Sequence, residues 1–421
     1  MDLTSIIHSL ENCPCGRKHF FDLETYKAEK GLVEKVGKEL VDAGFPKKVY
    51  IVSDENAMNA SKGLIESLDK EGFDYQLKVY PDMRYARMSD SLQIKSDAEG
   101  FDGILSIGTG SVNDICRYAA AQSSKPFAIF ATAPSMDGFA SDSAPLIDNN
   151  FKISYMCRQP KVVLADTEIL ANSPVELKAA GYGDIMAKYM AIVDWKVANY
   201  TTGEYYCENI VKLVRKATNS VWDMTDKITS NDPDAAGSIM DALILTGCAM
   251  QLAKCTRPAS GAEHVVSHYW EIHKLEKGEW PDFHGKKVGV AMCELIPLYK
   301  RLLELDTVEV EPEKLNLDDV LAHYSPSFRK EVIGYNVPSI CNLVDIEAFK
   351  NRWEDIKNTI REDLPDEKVF IEHMKKAGCV TTIEEAHISK EFCDNAIHYS
   401  PYMRRRTTLL RLLPMIKNFK Y

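Results

Sequence analysis

Asp102-Gly-Ile-Leu-Ser-Ile-Gly108-Thr109-Gly110-Ser111-Val112-Asn-Asp114 is the stretch whose reading decides how this chain folds. The apolar run from Ile104 to Ile107 has the length and composition of a buried strand. It stops at Gly108-Thr109-Gly110, and helical sequence continues through Ser111 to about residue 121. Strand, glycine turn and helix in that order bring free helix-start amides to the end of a strand, a place that favours a phosphate. A dinucleotide fingerprint would add a third glycine and an acidic residue about twenty positions later, and the chain has neither. Taken alone, the turn is equally a tight strand–helix connection.

The flanking sequence repeats the same alternation. Residues 48–53, 75–80, 127–131 and 161–166 read as strands, and residues 54–71 and 90–100 as helices between them. Strands spaced by helices predict a parallel sheet covered on both faces, with ligands held beyond the carboxyl ends of the strands. Asp54, the glycine turn and Thr132-Ala133-Pro134-Ser135 all fall at such ends. From Pro174, a common first helical residue, the periodicity is mainly helical, over 175–200, 204–224, 234–255, 261–274, 286–304 and beyond 317. Neither a repeat nor a low-complexity linker interrupts it. The reading is an α/β, Rossmann-like, dinucleotide-binding domain over residues 1–170 and an all-helical domain over 171–421 that binds metal and substrate.

The helical half carries the chemistry. Gly181-Tyr-Gly-Asp184, Ser260-Gly-Ala-Glu-His264-Val-Val-Ser-His268 and Phe283-His284-Gly285 supply one carboxylate and several imidazoles. Asp184, His264 and His284 suit a divalent metal with a position left open for substrate. His264 and His268 are four apart, so a helix puts them on one face, one for the metal and one for the substrate. Each histidine alone is more often surface or satisfied core; the set gains weight from the nucleotide turn upstream. With the turn in one half and the metal residues in the other, the active site is expected in the cleft between them.

Composition sets the limits. A chain of 421 residues, 45% hydrophobic and 27% charged, is long enough for two domains with substantial cores. A net charge of −11 argues against nucleic acid or an anionic membrane as partner. No stretch reads as a membrane-spanning helix and Met1-Asp-Leu-Thr-Ser lacks the basic start of a signal peptide, so a cytoplasmic location is expected. Eleven scattered cysteines fit a reducing compartment rather than a disulfide framework. Cys13-Pro-Cys15-Gly-Arg-Lys-His19 offers three metal ligands at a spacing that matches no common zinc pattern, and reduced thiols in a turn are the simpler reading.

Five strings taken together resemble one family: Gly108-Thr109-Gly110-Ser111-Val112; Thr132-Ala133-Pro134-Ser135-Met-Asp137-Gly138 with Ser141; Ala180-Gly-Tyr-Gly-Asp184-Ile-Met-Ala-Lys188; Ser260 through His268; and Phe283-His284-Gly285. The chain resembles the glycerol-1-phosphate dehydrogenases, including the bacterial type linked to arabinose operons, within the iron-containing alcohol dehydrogenases of dehydroquinate synthase-like fold. In that family the two-glycine loop is the expected one. The resemblance implies an NAD(H)- or NADP(H)-linked oxidoreductase with one divalent ion, nickel or zinc, reducing dihydroxyacetone phosphate reversibly to sn-glycerol 1-phosphate. It also implies a homo-oligomer, a dimer or larger.

Roles follow residue by residue from the resemblance. Asp54 holds the adenine ribose; Gly108, Thr109, Gly110, Ser111 and Val112 hold the pyrophosphate; Thr132, Ala133, Pro134, Ser135 and Ser141 line the nicotinamide side. Asp184, His264 and His284 bind the metal, and Asp137 and His268 act on the substrate beside Asp184. The wider iron-dependent group carries a histidine four residues after the metal aspartate, where this chain has Lys188, and an ammonium is no metal ligand. Lys188, Lys286 and Lys287 are each a substrate-phosphate candidate and equally a surface lysine. His273, Asp194 and Asp166 are candidates for orienting the ligands, with surface or capping duty as the alternative. Arg404-Arg405-Arg406 is most simply a solvated face or a subunit contact. A glycerol dehydrogenase is the nearest alternative function. A dehydroquinate synthase-like cyclase is more distant, because that family has glutamate as its first metal ligand.

Overall fold

Strand sequences that are apolar at nearly every position fold only where both faces of a sheet are covered, and the central strands here are of that kind. The computed structural model describes residues 2–148 and 151–421. Its strands are Thr25–Glu29 (β1), Lys48–Asp54 (β2), Asp74–Tyr80 (β3), Gly103–Gly108 (β4), Phe127–Ala131 (β5), Ser143–Asp148 (β6), Phe151–Met156 (β7) and Val162–Asp166 (β8). Six of them form one parallel sheet in the order β1-β8-β5-β4-β2-β3. The period-2 alternation sends Tyr50, Val52, Ile104 and Ile129 into one core and Val49, Ile51, Leu105 and Phe130 into the other. Chain order reverses between β2 and β4, so the crevice for a ligand opens at their carboxyl ends.

The sequence reading missed β1, an edge strand joined only to β8, and the antiparallel β6–β7 hairpin outside the main sheet. The expected single helix over 54–71 is two, Glu55–Ala60 and Leu64–Lys70, because Gly63 breaks it at φ +95°. The expected helix over 175–200 is likewise two, Val175–Met186 and Lys188–Thr202.

Everything after β8 is helical, apart from loops and one isolated bridge between Val310 and Ile416. One expectation needs correction here: the helix Pro233–Ala253 is long and apolar enough to cross a bilayer. Its apolarity has another cause. Ala236, Met240, Ile244 and Cys248 fill the core of the α/β half while Ile239, Ala242 and Leu243 fill that of the helical half. It is a core helix shared by both. The first residues cross over too, with Leu10 packed on Ile192, Trp195 and Val211. We propose residue 170 as the line between the halves, bridged by these two elements.

Candidate active site

Glycines set how closely the two halves meet. A Cβ on Gly181 would lie 1.9 Å from the carbonyl oxygen of Pro134, and one on Gly285 would lie 1.8 Å from that of Ala180. The helices Val175–Met186 and His284–Arg301 therefore touch backbone to backbone, and the turn after β5 rests on the first of them. This contact brings Asp184, near the end of one helix, against His284, the first residue of the other. His264 joins them from the first turn of the helix Ala262–Glu276.

One ligand atom from each of Asp184, His264 and His284 lies within 4.8 Å of the other two. His264 Nδ1 is 2.7 Å from Glu263 Oε1, an oxygen that also accepts the Gly261 amide at 2.8 Å. A proton on Nδ1 leaves the Nε2 lone pair facing Asp184 Oδ1, 3.8 Å away. Burial holds the His284 ring well below its ordinary range, which keeps it a neutral donor. A carboxylate and two imidazoles converging on one point are the donor set a divalent ion requires.

The turn after β5 is tied to this set, since the Asp137 amide donates to Asp184 Oδ2 at 2.9 Å. Lys188, fully buried, bridges the two acids, with Nζ 2.5 Å from Asp184 Oδ1 and 2.8 Å from Asp137 Oδ2. Burial alone would raise the Asp184 carboxyl, but Lys188, His284 and His264 together hold it well below the usual range. Burial and the neighbouring Asp184 push Asp137 up against the pull of Lys188. Burial likewise opposes the Lys188 charge, and the two carboxylates overcome it.

Beside this cluster, His268 Nδ1 sits 3.1 Å from Glu271 Oε2, and the rings of His268 and His284 are 5.9 Å apart. Glu271 Oε1 in turn meets Lys152 Nζ and Lys287 Nζ, each at 2.9 Å. Burial pushes His268 down to about 3, so it is a neutral imidazole at ordinary pH.

The residues assigned to the nucleotide side in the sequence lie at the carboxyl ends of strands and in the turns that follow them. Register pairs Ser53 with Ile107, which sets Asp54 next to Gly108 at the crevice. Asp54 also caps its own helix by accepting the Ala57 amide at 2.8 Å. Thr109 precedes the helix Gly110–Gln122 without a side-chain cap, leaving the first amides free for an anion. Gly108, at φ +157°, lies over the Val112 side chain, and its carbonyl accepts the Thr132 amide at 3.2 Å. Ser111 Oγ donates to the Arg84 carbonyl at 2.8 Å, and Ser141 Oγ is 3.0 Å from Ser143 Oγ. Ala133 and Ser135 are buried in the turn. The halves meet again where Tyr85, after β3, stacks on Trp280 at 4.0 Å.

Three neighbours of the site, Glu263, Glu271 and Lys152, escaped the sequence reading. Glu263 and Glu271 had a signal, one adjacent to His264 and the other three residues past His268 on the same face. Lys188, read as a phosphate candidate or equally a surface lysine, is not at the surface but buried, bridging two acids. Lys152, on the hairpin, had no signal. Of the other lysines, Lys286 pairs with Asp282 at 2.8 Å, whereas Lys287 is buried. Asp194 accepts the amides of Ala262 and Leu409 and the Tyr299 hydroxyl, so it fixes the start of the His264 helix. Asp166 caps the helix after β8, and His273 pairs with Glu276 away from the metal set. Arg406 is a half-buried anchor on Ser260.

The chain has similar counterparts among known proteins. A model of the iron-containing alcohol dehydrogenase family matches residues 27–174. The chain is similar to a Bacillus licheniformis protein named glycerol-1-phosphate dehydrogenase, NAD(P)+, with 29% identity over 98% of this chain and 94% of that protein. Proteins of the same name from Geobacillus thermodenitrificans (33%, over 65% of this chain and 70% of the relative) and Methanosarcina acetivorans (31%, over 64% and 74%) also match. Among solved structures, a probable glycerol dehydrogenase from Sinorhizobium meliloti superposes with a TM-score of 0.62 at 15% identity, covering 94% of this chain and 93% of that one. The NADH-dependent butanol dehydrogenase A of Thermotoga maritima does so at 0.60 and 15%, covering 93% and 92%. At these identities the two structures bear on the fold alone.

Proposed function

The chain belongs to the glycerol-1-phosphate dehydrogenase family, and on that premise we propose that it catalyses the reversible, NAD(P)H-linked, metal-dependent reduction of dihydroxyacetone phosphate to sn-glycerol 1-phosphate. The observation that carries this reading is the convergence of Asp184, His264 and His284 at the junction with the β5 turn, through the Asp137–Asp184 bond. Asp184, His264 and His284 would hold the ion, nickel or zinc by donor type. When bound, the ion supplies Lewis-acid polarisation of a carbonyl, and the nicotinamide supplies the hydride.

The chain's own groups do the rest. The Gly108–Thr109–Gly110 turn and the free amides behind it bind the pyrophosphate, with Ser111 fastening the turn to Arg84 and Val112 supporting it from below. Asp54 accepts from the adenine ribose, while Thr132, Ala133, Pro134, Ser135 and Ser141 shape the nicotinamide side. Asp137 and His268 contact substrate. Burial takes His268 out of the range in which an imidazole exchanges a proton at ordinary pH. Its role in our reading is therefore to orient a substrate hydroxyl through Nε2, its Nδ1 being occupied by Glu271. Lys188 holds a proton between Asp137 and Asp184, at the reacting centre. Lys152 and Lys287, which share the single carboxylate of Glu271, leave surplus positive charge suited to the substrate phosphate. A homo-oligomer and a cytoplasmic location belong to the same reading, and eleven unpaired cysteines support a reducing compartment.

The deciding assay offers dihydroxyacetone phosphate, dihydroxyacetone and a sugar phosphate side by side to the metal-loaded protein with NADH or NADPH. Rapid cofactor oxidation with the first alone is expected. Equal efficiency with dihydroxyacetone would replace the proposal with a glycerol dehydrogenase.

A further inference from the structure

Cys13, Cys15 and His19 lie on the segment between the helix Leu3–His8 and β1, and Cys207 precedes the helix Glu208–Trp222. Nearly two hundred residues separate them in sequence, yet one ligand atom from each lies within 4.8 Å of the other three. Cys13 Sγ is 3.4 Å from Cys207 Sγ, Cys15 Sγ is 3.1 Å from His19 Nε2, and Cys207 Sγ is 3.9 Å from the same nitrogen. A tetrahedral ion with bonds of about 2.3 Å to sulfur and 2.0 Å to nitrogen spaces its ligand atoms about 3.5–3.8 Å apart. The observed distances straddle that spacing.

The surroundings orient His19 toward the sulfurs. His19 Nδ1 is 2.7 Å from the Leu252 carbonyl, so the proton sits there and the Nε2 lone pair faces the sulfurs. The backbone amides of Arg17 and Ile210 point at Cys15 Sγ and Cys207 Sγ. Gly16, at φ +76°, lets the chain turn back between Cys15 and His19.

We propose that Cys13, Cys15, His19 and Cys207 form a structural zinc site, distinct from the Asp184–His264–His284 set. Three thiolates and an imidazole complete a tetrahedral shell, so no position is left for a substrate, and soft sulfur ligands select zinc over the harder divalent ions. The site joins the N-terminal segment to two helices of the helical half, through Cys207 and the Leu252 carbonyl. It lies over the apolar cluster of Leu10, Ile192, Trp195 and Val211. The ion would thus pin the start of the chain to the helical half before the chain enters the sheet at β1. The competing use of the cluster is a Cys13–Cys207 disulfide, which would leave Cys15 and His19 without a shared purpose.

Cobalt(II) is the probe that separates this site from the catalytic one, because only a sulfur-ligated ion gives thiolate-to-metal charge transfer. Full-length protein produced in cobalt-supplemented medium is expected to show that near-ultraviolet band. The band should persist in His264→Ala and vanish in Cys15→Ser. In zinc-grown protein, elemental analysis should find one zinc equivalent fewer in Cys15→Ser than in the parent. If Cys15→Ser does not fold, the spectrum of the parent decides alone. A parent without the band, an unchanged zinc count in a folded Cys15→Ser, or a Cys13–Cys207 cross-linked peptide in the parent would each overturn the proposal.

Discussion

Replacing Gly285 by alanine sets two effects of opposite sign against each other. Gly285 is the second residue of the helix His284–Arg301, where alanine is favoured over glycine by about 1 kcal/mol on helix propensity. The new Cβ, however, would lie 1.8 Å from the Ala180 carbonyl oxygen and 3.1 Å from Asp184 Cβ. A carbon and a carbonyl oxygen approach to about 3.3 Å, so the helices must part by roughly 1.5 Å. Overpacking of this kind costs about 1–3 kcal/mol and outweighs the propensity gain. The larger consequence is functional, because His284 adjoins the substituted residue and Asp184 lies on the helix being pushed away. Metal sites tolerate about 0.2 Å, and a displacement near 1 Å lowers catalysis about 100-fold. We expect Gly285→Ala to bind less than one metal equivalent at the Asp184 set and to lose about two orders of magnitude in kcat/KM. Metal titration, steady-state kinetics and thermal melts of the metal-free forms check this. Gly334→Ala is the control, since that helical glycine has open space around it and should gain stability with unchanged activity. Wild-type metal content and kcat/KM in Gly285→Ala would refute the reasoning that backbone contact positions the ligands.

Asp54→Ser keeps an oxygen to cap the Ala57 amide but removes the charge beside the ribose. It should weaken NADH more than NADPH in fluorescence titrations, and the reverse order would be incompatible with Asp54 at the ribose. Burial pushes Lys287 down to about 8, with Lys152 adding to the effect and Glu271 opposing it. Lys287 is thus charged below pH 8 and neutral above it, so KM for dihydroxyacetone phosphate should rise as pH increases through 8. Lys287→Arg should flatten that rise; a parent KM that stays level from about pH 7 to 9 would remove Lys287 from the phosphate site. His268→Ala should lower kcat by about 100-fold with metal content near that of the parent, and coincident loss of metal would reassign His268 to the metal shell.

The sheet was legible in proportion to its burial. β2, β4, β5 and β8 are buried on both faces and announce themselves as apolar runs. β1 was not legible, because its Thr-Tyr-Lys-Ala-Glu sequence lies at an edge where Lys27 pairs with Glu39 instead of filling a core. The helix Pro233–Ala253 was misjudged as unremarkable in length and apolarity for the same kind of reason, since its environment is two cores at once. In the site, residue types and local spacing carried Asp184, His264, His268 and His284. What could not be read was every partner brought by tertiary contact. Lys152 reaches Glu271 across 119 positions, and Cys207 reaches His19 across 188. Cys207 was the fourth ligand whose absence from the local sequence made the Cys13–Cys15–His19 motif look incomplete.

The lysine that replaces a histidine of the wider alcohol dehydrogenase group has a physical logic in this arrangement. A histidine there, as a fourth protein ligand, would occupy the position that a chelating hydroxyketone needs. Lys188 cannot ligate a metal, so that position stays with the substrate. The same ammonium neutralises Asp137, whose amide is fastened to Asp184 and whose carboxylate would otherwise repel both Asp184 and a phosphate ester. Across the whole site the carboxylates of Asp137, Asp184, Glu263 and Glu271 face the ammoniums of Lys152, Lys188 and Lys287. That balance is negative by one charge without an ion and positive by one with a divalent ion bound. An unphosphorylated polyol gains little from the reversal, whereas a phosphorylated substrate is attracted only once the ion is present. The charge arrangement therefore favours the phosphate ester over glycerol and couples its binding to that of the metal.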